Sequence, residues 1–149
     1  MNVTAYQIAQ RFVGLREVAG HTANPQILAM LRLDCGAVQD DETPWCSAFV
    51  NYICWLLRLP RSKSLLARSW LTVGEAINYM TASPGYDVVV LKRGEGPQPG
   101  PNILTAPGHV GFYAGMDSGR IHLLGGNQGD AVTVAGYDLS RVLGVRRLC

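Results

Sequence analysis

The chain has 149 residues, of which 48% are hydrophobic and 16% charged, so we expect one well-buried domain over residues 1–149 rather than two domains. A net charge of +2, with no basic run interleaved with aromatic residues, argues against nucleic acid as a partner. The sequence has no signal-peptide pattern and no apolar stretch near the roughly 20 residues of a membrane span, which predicts a protein made in the cytoplasm.

Two short helices are predicted near the start of the chain. Thr4 and Gln7 form a capping box for a helix over residues 5–13, and Gly14 is suited to end it. A second helix is expected to begin at Asn24-Pro25, because proline favours the first helical position. Both helices are expected to serve packing.

The next predicted helix, over residues 44–57, contains the chain's most suggestive cysteine. Thr43 can cap this helix and Pro44 can occupy its first position, which places Cys46 in the first turn. Unpaired N–H groups and the helix dipole favour a thiolate there, so Cys46 is a candidate nucleophile. The alternative is that Cys46 is a small buried apolar residue, as free cysteines usually are.

The four cysteines of the chain do not show the spacing of a metal site. Cys35, Cys46, Cys54 and Cys149 show neither CxxC pairs nor zinc-finger spacing with histidine, and we expect free thiols and no metal. Cys54 lies two turns after Cys46 in an apolar helix, where packing is its expected role.

The second half of the chain changes to the pattern of β-strands. Ser69 is predicted to cap a last helix running to about Met80, and residues 94–107 form a glycine- and proline-rich loop. Helices first and antiparallel strands second indicate an α+β domain. The predicted strands cover residues 87–91, 109–114, 120–124, 131–135 and 142–146.

A thiol nucleophile needs an imidazole to exchange its proton, and the imidazole needs an orienting acceptor. His109 begins a strand directly after the long loop, and Asn127 lies in a glycine-flanked turn. The order Cys46, His109, Asn127 is that of papain-like cysteine hydrolases. Taken singly, His109 also fits an ordinary strand-end histidine, and Asn127 a turn residue that tolerates a left-handed backbone.

Four segments of this chain resemble the motifs of the CHAP and NlpC/P60 superfamily of peptidoglycan-cleaving cysteine amidases and endopeptidases. They are residues 43–50 (Thr-Pro-Trp-Cys-Ser-Ala-Phe-Val), 67–71 (Ala-Arg-Ser-Trp-Leu), 108–113 (Gly-His-Val-Gly-Phe-Tyr) and 124–128 (Leu-Gly-Gly-Asn-Gln). The resemblance implies a papain-like α+β fold with the cysteine at a helix N-terminus against an antiparallel sheet. It also implies cleavage of an amide bond in the cell-wall peptide without a cofactor, an activity that small phage endolysins often have.

The resemblance implies that Cys46 is the nucleophile and His109 the general base. Family members place the third residue either near His122 or near Asn127, and we favour Asn127 because its Gly-Gly-Asn-Gln segment is part of the resemblance. The acidic residues before Cys46 lack the Asp-x-Asp-Gly pattern of calcium-binding members, so no calcium site is expected. Those acidic residues are Asp34, Asp40, Asp41 and Glu42.

The expected function is therefore that of a monomeric, endolysin-like peptidoglycan hydrolase that reaches the cell wall or periplasm through a holin or another route. An effector amidase with the same chemistry, a cysteine protease acting on proteins and a non-catalytic wall-binding module are the alternatives. With no separate wall-binding domain visible, Trp45 and the loop at residues 94–107 are the expected recognition elements.

Overall fold

The computed structural model describes residues 2–19, 23–36 and 43–149. Three α-helices lead into a six-stranded antiparallel sheet whose strand order is β1-β6-β2-β3-β4-β5. The helices are α1 (Ala5–Gln10), α2 (Pro25–Cys35) and α3 (Cys46–Leu56). The strands are β1 (Glu75–Ile77), β2 (Asp87–Lys92), β3 (Gly108–Asp117), β4 (Arg120–Gly125), β5 (Thr133–Asp138) and β6 (Val142–Arg147).

The helices pack on one face of the sheet, which confirms the predicted α+β class. Phe49 of α3 lies edge-to-face against Phe112 of β3, with ring centroids 6.3 Å apart. Alternate residues of the strands face a second apolar cluster on the other side, where Leu91 and Leu123 are fully buried. Burial on both faces explains the continuous apolar run of β2.

Local capping chemistry sets the starts of the first two helices as predicted. Thr4 and Gln7 form the reciprocal capping box of α1, and Asn24 accepts from Gln26 N–H at 2.9 Å with Pro25 beginning α2. α1 ends at Gln10, earlier than predicted. Gly14, at φ +100°, then donates its N–H to Val132 O at 2.9 Å and joins this segment to the chain before β5.

The helix predicted from Ser69 to Met80 is wrong. A short 3₁₀ helix covers Ala67–Thr72, and the chain then forms the edge strand β1 against β6. Gly74 causes the change, because it adopts φ +70° and its Cα lies so close to Arg147 O that a Cβ would clash. The Ser69 hydroxyl donates to Leu66 O at 2.6 Å instead of capping a helix.

Candidate active site

Cys46 is the first residue of α3 and is only 2% exposed. The prediction that Thr43 caps the helix with Pro44 at its first position is wrong, because Trp45 occupies the N-cap position and no side chain caps the helix there. Thr43 and Pro44 instead line a pocket together with Cys46. The helix start therefore depends on how Trp45 is held.

Trp45 is fully buried and anchors the start of α3. Its indole N–H donates to Glu17 Oε1 at 2.5 Å. Its ring lies against Gly126, where an added Cβ would be 2.5 Å from Cζ3 of the indole and 2.9 Å from Cβ of Phe49. The lack of a side chain at Gly126 thus lets the backbone of the Gly-Gly-Asn-Gln segment approach the Trp45 ring closely.

The environment of the Cys46 thiol combines burial with several donors. Burial raises the pKa of Cys46, and this effect exceeds those of the Val110 N–H and the positive charge of Arg93, which lower it. The N–H groups of Ser47 and Cys46 itself lower the pKa as well. The thiolate predicted from the helix start is therefore not the favoured form, because desolvation outweighs these stabilising groups.

His109 lies at the start of β3 and is 7% exposed. Its Nε2 is 2.9 Å from Oε1 of Gln128. Burial lowers the pKa of the imidazole, the hydrogen bond with Gln128 raises it, and the charge of Arg93 lowers it further, with a net lowering. The imidazole is thus neutral at pH 7. The Cys46 sulfur lies against the N–H of Val110, the residue that follows His109.

The contacts of Gln128 determine which nitrogen of His109 carries the proton. The Gln128 amide NH₂ donates to Leu123 O at 3.2 Å and to Thr133 O at 2.7 Å, so its carbonyl oxygen faces His109. A carbonyl oxygen only accepts, and therefore Nε2 of the neutral ring is the donor. Nδ1 is left with a free lone pair, which can take a proton from a thiol.

Tyr137 completes the contacts of the Gln128 carbonyl. Its hydroxyl donates to Oε1 at 2.9 Å, and its ring lies 5.4 Å from the His109 ring, centroid to centroid. Burial raises the pKa of Tyr137 to about 12, with the charge of a Cys46 thiolate adding to the rise. The hydroxyl is therefore protonated, and remains a donor, over the whole useful pH range.

Neither of the two candidates for orienting His109, Asn127 and His122, hydrogen-bonds to its ring within the described residues. Asn127 has a left-handed backbone at φ +59°, and the contact expected of it is made by its neighbour Gln128. His122 is paired with Asp117 at 3.2 Å on a partly exposed part of β4. Gln128 belongs to the same segment, residues 124–128, but a turn pattern does not determine which of two adjacent amides points inward.

Two open pockets adjoin the pair, and the exposed Arg93 lines both. One, of about 440 Å³, contains Cys46 and is bordered by the loop that precedes His109. The other, of about 370 Å³, contains His109, Gln128 and Tyr137. Cys46 and His109 thus line two different pockets that share Arg93 in their walls.

Comparison with solved structures places this architecture among known folds. NlpC1 from Trichomonas vaginalis has a TM-score of 0.56 to this chain at 17% identity, and NlpC2 from the same organism has 0.56 at 18%. The fold is similar to that of NlpC/P60 proteins. Each match covers 97% of this chain but only 42% of NlpC1 and 44% of NlpC2, so the chain spans less than half of either protein. No protein-family model and no curated protein matches the sequence.

Two buried polar side chains, Ser47 and Arg68, hold the segments that border the Cys46 pocket. Ser47 donates to Ser64 O at 2.6 Å and accepts from the Trp70 indole N–H at 2.9 Å, which fixes the segment bordering the Cys46 pocket. Arg68 is fully buried and binds the loop before β3. It donates to the carbonyls of Gly100, Ile103 and Pro107 at 2.8, 3.0 and 3.0 Å.

Of the acidic residues that precede Cys46, Asp34 pairs with Arg61 at 2.8 Å, whereas Asp40, Asp41 and Glu42 lie outside the described residues. Within the described residues, no three histidine, cysteine or acidic side chains group as a metal site, and no helix is long and apolar enough to span a membrane. Cys54 is buried in α3, as its packing role requires.

Proposed function

We propose that this chain hydrolyses an amide bond in the stem peptide of peptidoglycan through a thioester on Cys46. The observation that carries the proposal is the hydrogen bond of His109 Nε2 with Gln128 Oε1 at 2.9 Å, because it leaves Nδ1 as the nitrogen able to act as a base. The similarity of the fold to NlpC proteins supports the choice of substrate class.

The first half of the reaction forms the acyl-enzyme. The Cys46 sulfur attacks the amide carbon as His109 Nδ1 takes the thiol proton, and a sulfur–carbon bond forms. His109 then gives this proton to the amine nitrogen as the carbon–nitrogen bond breaks. Because the resting thiol is neutral, proton transfer accompanies the attack.

The second half releases the acid. A water molecule enters where the amine left and gives a proton to His109 Nδ1 as its oxygen attacks the thioester carbon. The sulfur leaves and recovers its proton from His109. Gln128 and Tyr137 act throughout as positioning residues, since they hold the ring in one tautomer.

Digestion of purified peptidoglycan sacculi tests the proposal. Wild-type protein should release soluble fragments whose masses identify one new amine and one new carboxyl group, and Cys46→Ala should release none. Cys54→Ala is the matched control, because it removes a buried thiol of the same helix away from both pockets. Cleavage by Cys46→Ala at the wild-type rate would overturn the assignment.

Further assays separate the possible biological settings and the rival classes of function. We propose the CHAP-like, endolysin-type role, with access to the wall through a holin or another route, and co-expression with a holin should then lyse cells. Growth arrest on export without a holin would instead support an effector amidase. Binding to sacculi without fragments would identify a wall-binding module, and digestion of casein but not sacculi a protease.

A further inference from the structure

The pocket beside His109 is lined by cations and by no carboxylate. Lys92, Arg93 and Arg141 contribute positive charge to a space of about 370 Å³. The other lining residues are His109, Asn127, Gln128, Gly129 and Tyr137, all neutral with His109 deprotonated. The three positive charges give this pocket a positive electrostatic potential beside His109.

Strand register brings these cations together. Lys92 ends β2 opposite Gly108, and Arg93 follows it, so both lie near the start of β3, where His109 is the second residue. β6 begins beside the same end, where Val142 pairs with Leu91, and this pairing places Arg141 next to Lys92. The basic character is thus built by two adjacent strand ends, the end of β2 and the start of β6.

The cations are not neutralised by the protein. Among the described residues, none of the three forms an ion pair. Arg141 donates to the carbonyls of Lys92 and Gly94, each at 3.3 Å, which holds its guanidinium without cancelling its charge. Asp138 lines an adjoining groove with Lys92 and Arg141, and it is paired with neither. Unpaired cations in a concave site are suited to an anionic ligand.

We propose that this basic pocket binds a free carboxylate of the substrate peptide on the leaving-amine side of the scissile bond. The inference rests on the proposed function for its orientation, because His109 must reach the departing nitrogen and the pocket adjoins His109 rather than Cys46. Arg93, which lines both pockets, provides the planar donor that suits a carboxylate.

Arg93 also acts electrostatically on the reacting groups, since its charge lowers the pKa of both Cys46 and His109. An effect transmitted through these groups changes the rate for every substrate alike. Recognition of a carboxylate instead changes the ratio of the affinities for peptides that carry the carboxylate and peptides that lack it. The test must therefore compare substrates within each variant.

The experiment uses a synthetic stem tetrapeptide and derivatives in which one free carboxylate at a time is converted to a carboxamide. Dissociation constants are measured with the Cys46→Ala protein, which keeps the pocket, with and without Arg93→Gln. Rates and fragment masses are measured with the corresponding proteins that retain Cys46. Arg11→Gln is the matched control, because Arg11 lies in an exposed N-terminal groove away from both pockets.

Amidation of the amine-side carboxylate should weaken binding about tenfold, and Arg93→Gln should remove most of this discrimination. Equal binding of the acid and amide forms would overturn the proposal. So would weaker binding on amidation of an acyl-side carboxylate instead of the amine-side one. An Arg93→Gln protein that loses the same affinity for both forms would overturn it as well. Discrimination in binding without cleavage of any peptide by the wild-type protein would refute the proposed function but support the carboxylate pocket.

Discussion

His109 Nε2 lies 2.9 Å from Gln128 Oε1, an atom whose two lone pairs are used by the His109 ring and the Tyr137 hydroxyl together. The Gln128 amide NH₂ is fixed in turn by carbonyls of β4 and of β5. One side chain therefore determines both the rotation of the imidazole and the nitrogen that carries its proton.

Removing the Gln128 side chain should disable His109 without removing it. In Gln128→Ala the ring loses its acceptor, and kcat/KM should fall on the order of 10²–10⁴-fold, the range that a positioned base contributes. Release of peptide fragments from sacculi, measured under steady-state conditions, provides the rate. Asn127→Gly keeps the left-handed backbone and removes the neighbouring amide, and its rate should fall far less than that of Gln128→Ala.

Gln128→Glu separates positioning from general support of the structure. A carboxylate still accepts from Nε2–H, and its charge should raise the pKa of His109 and move the acid limb of the rate profile to higher pH. A loss in Asn127→Gly as large as in Gln128→Ala would contradict this account. It would restore Asn127 to the role that the sequence predicted.

The pH dependence of hydrolysis should follow from a neutral thiol and a neutral imidazole. Because burial lowers the pKa of His109 from 6.5, protonation should stop the reaction only below that value. Because burial raises the pKa of Cys46 above 9.0, the proton needed by the leaving amine is retained up to that pH. The kcat/KM profile should therefore be flat between these limits.

Alkylation of Cys46 by iodoacetamide, followed by peptide mass spectrometry, measures its ionisation directly. The rate should be low at pH 7 and rise above pH 9. Arg93→Gln should shift the acid limb of the kcat/KM profile to higher pH, since the Arg93 charge disfavours the imidazolium ion. Rapid alkylation at pH 6 would indicate a thiolate–imidazolium pair and contradict the assignment.

Gly126→Ala should destabilise the folded chain through the start of α3. The added methyl group would lie 2.5 Å from the Trp45 ring, whose burial leaves it no room to move, so a loss of about 1–3 kcal/mol in the free energy of unfolding is expected. Urea unfolding gives the comparison. Gly100→Ala, which meets no atom within 4 Å, should be close to neutral; an equal loss there would remove the explanation.

Arg68→Met tests whether the loop before His109 is held from inside. The substitution keeps the aliphatic stem and removes three charged hydrogen bonds to loop carbonyls. It also removes a buried charge that has no carboxylate partner within the described residues, so global stability should change little. Proteolysis within residues 94–107 should accelerate and kcat/KM should fall. Arg120→Met, at an exposed guanidinium on β4, should change neither.

Local sequence patterns determined much of the fold because the deciding interactions were local. The Thr4–Gln7 capping box, Pro25 and the apolar run of β2 each depend on neighbours in the chain. The failed helix after Ser69 was decided by a distant segment, since Gly74 turns the chain onto Arg147 of β6. Tertiary pairing of this kind has no signature within the segment itself.

The site residues also divide into those that local sequence patterns indicate and those that depend on three-dimensional contacts. Cys46 and His109 were identified from helix-start and strand-start positions, and their catalytic roles remain predictions. The choice of Gln128 over Asn127 depends on which amide meets carbonyls of β4 and β5, which is a matter of three-dimensional register. The positive pocket depends on the adjacency of β2 and β6, whose sequences lie far apart.

The attachment of the active site to the edge strand β5 affects how catalytic activity responds to heat and denaturant. Through Gln128, the imidazole is tied to Thr133 at the start of a strand that has a neighbour on one side only. Edge strands open at lower free energy than the centre of a sheet. Fraying of β5 would release the Gln128 amide while the helices and central strands remain folded. Catalytic activity should therefore decline several degrees below the melting of the molecule, in step with deuterium uptake by β5.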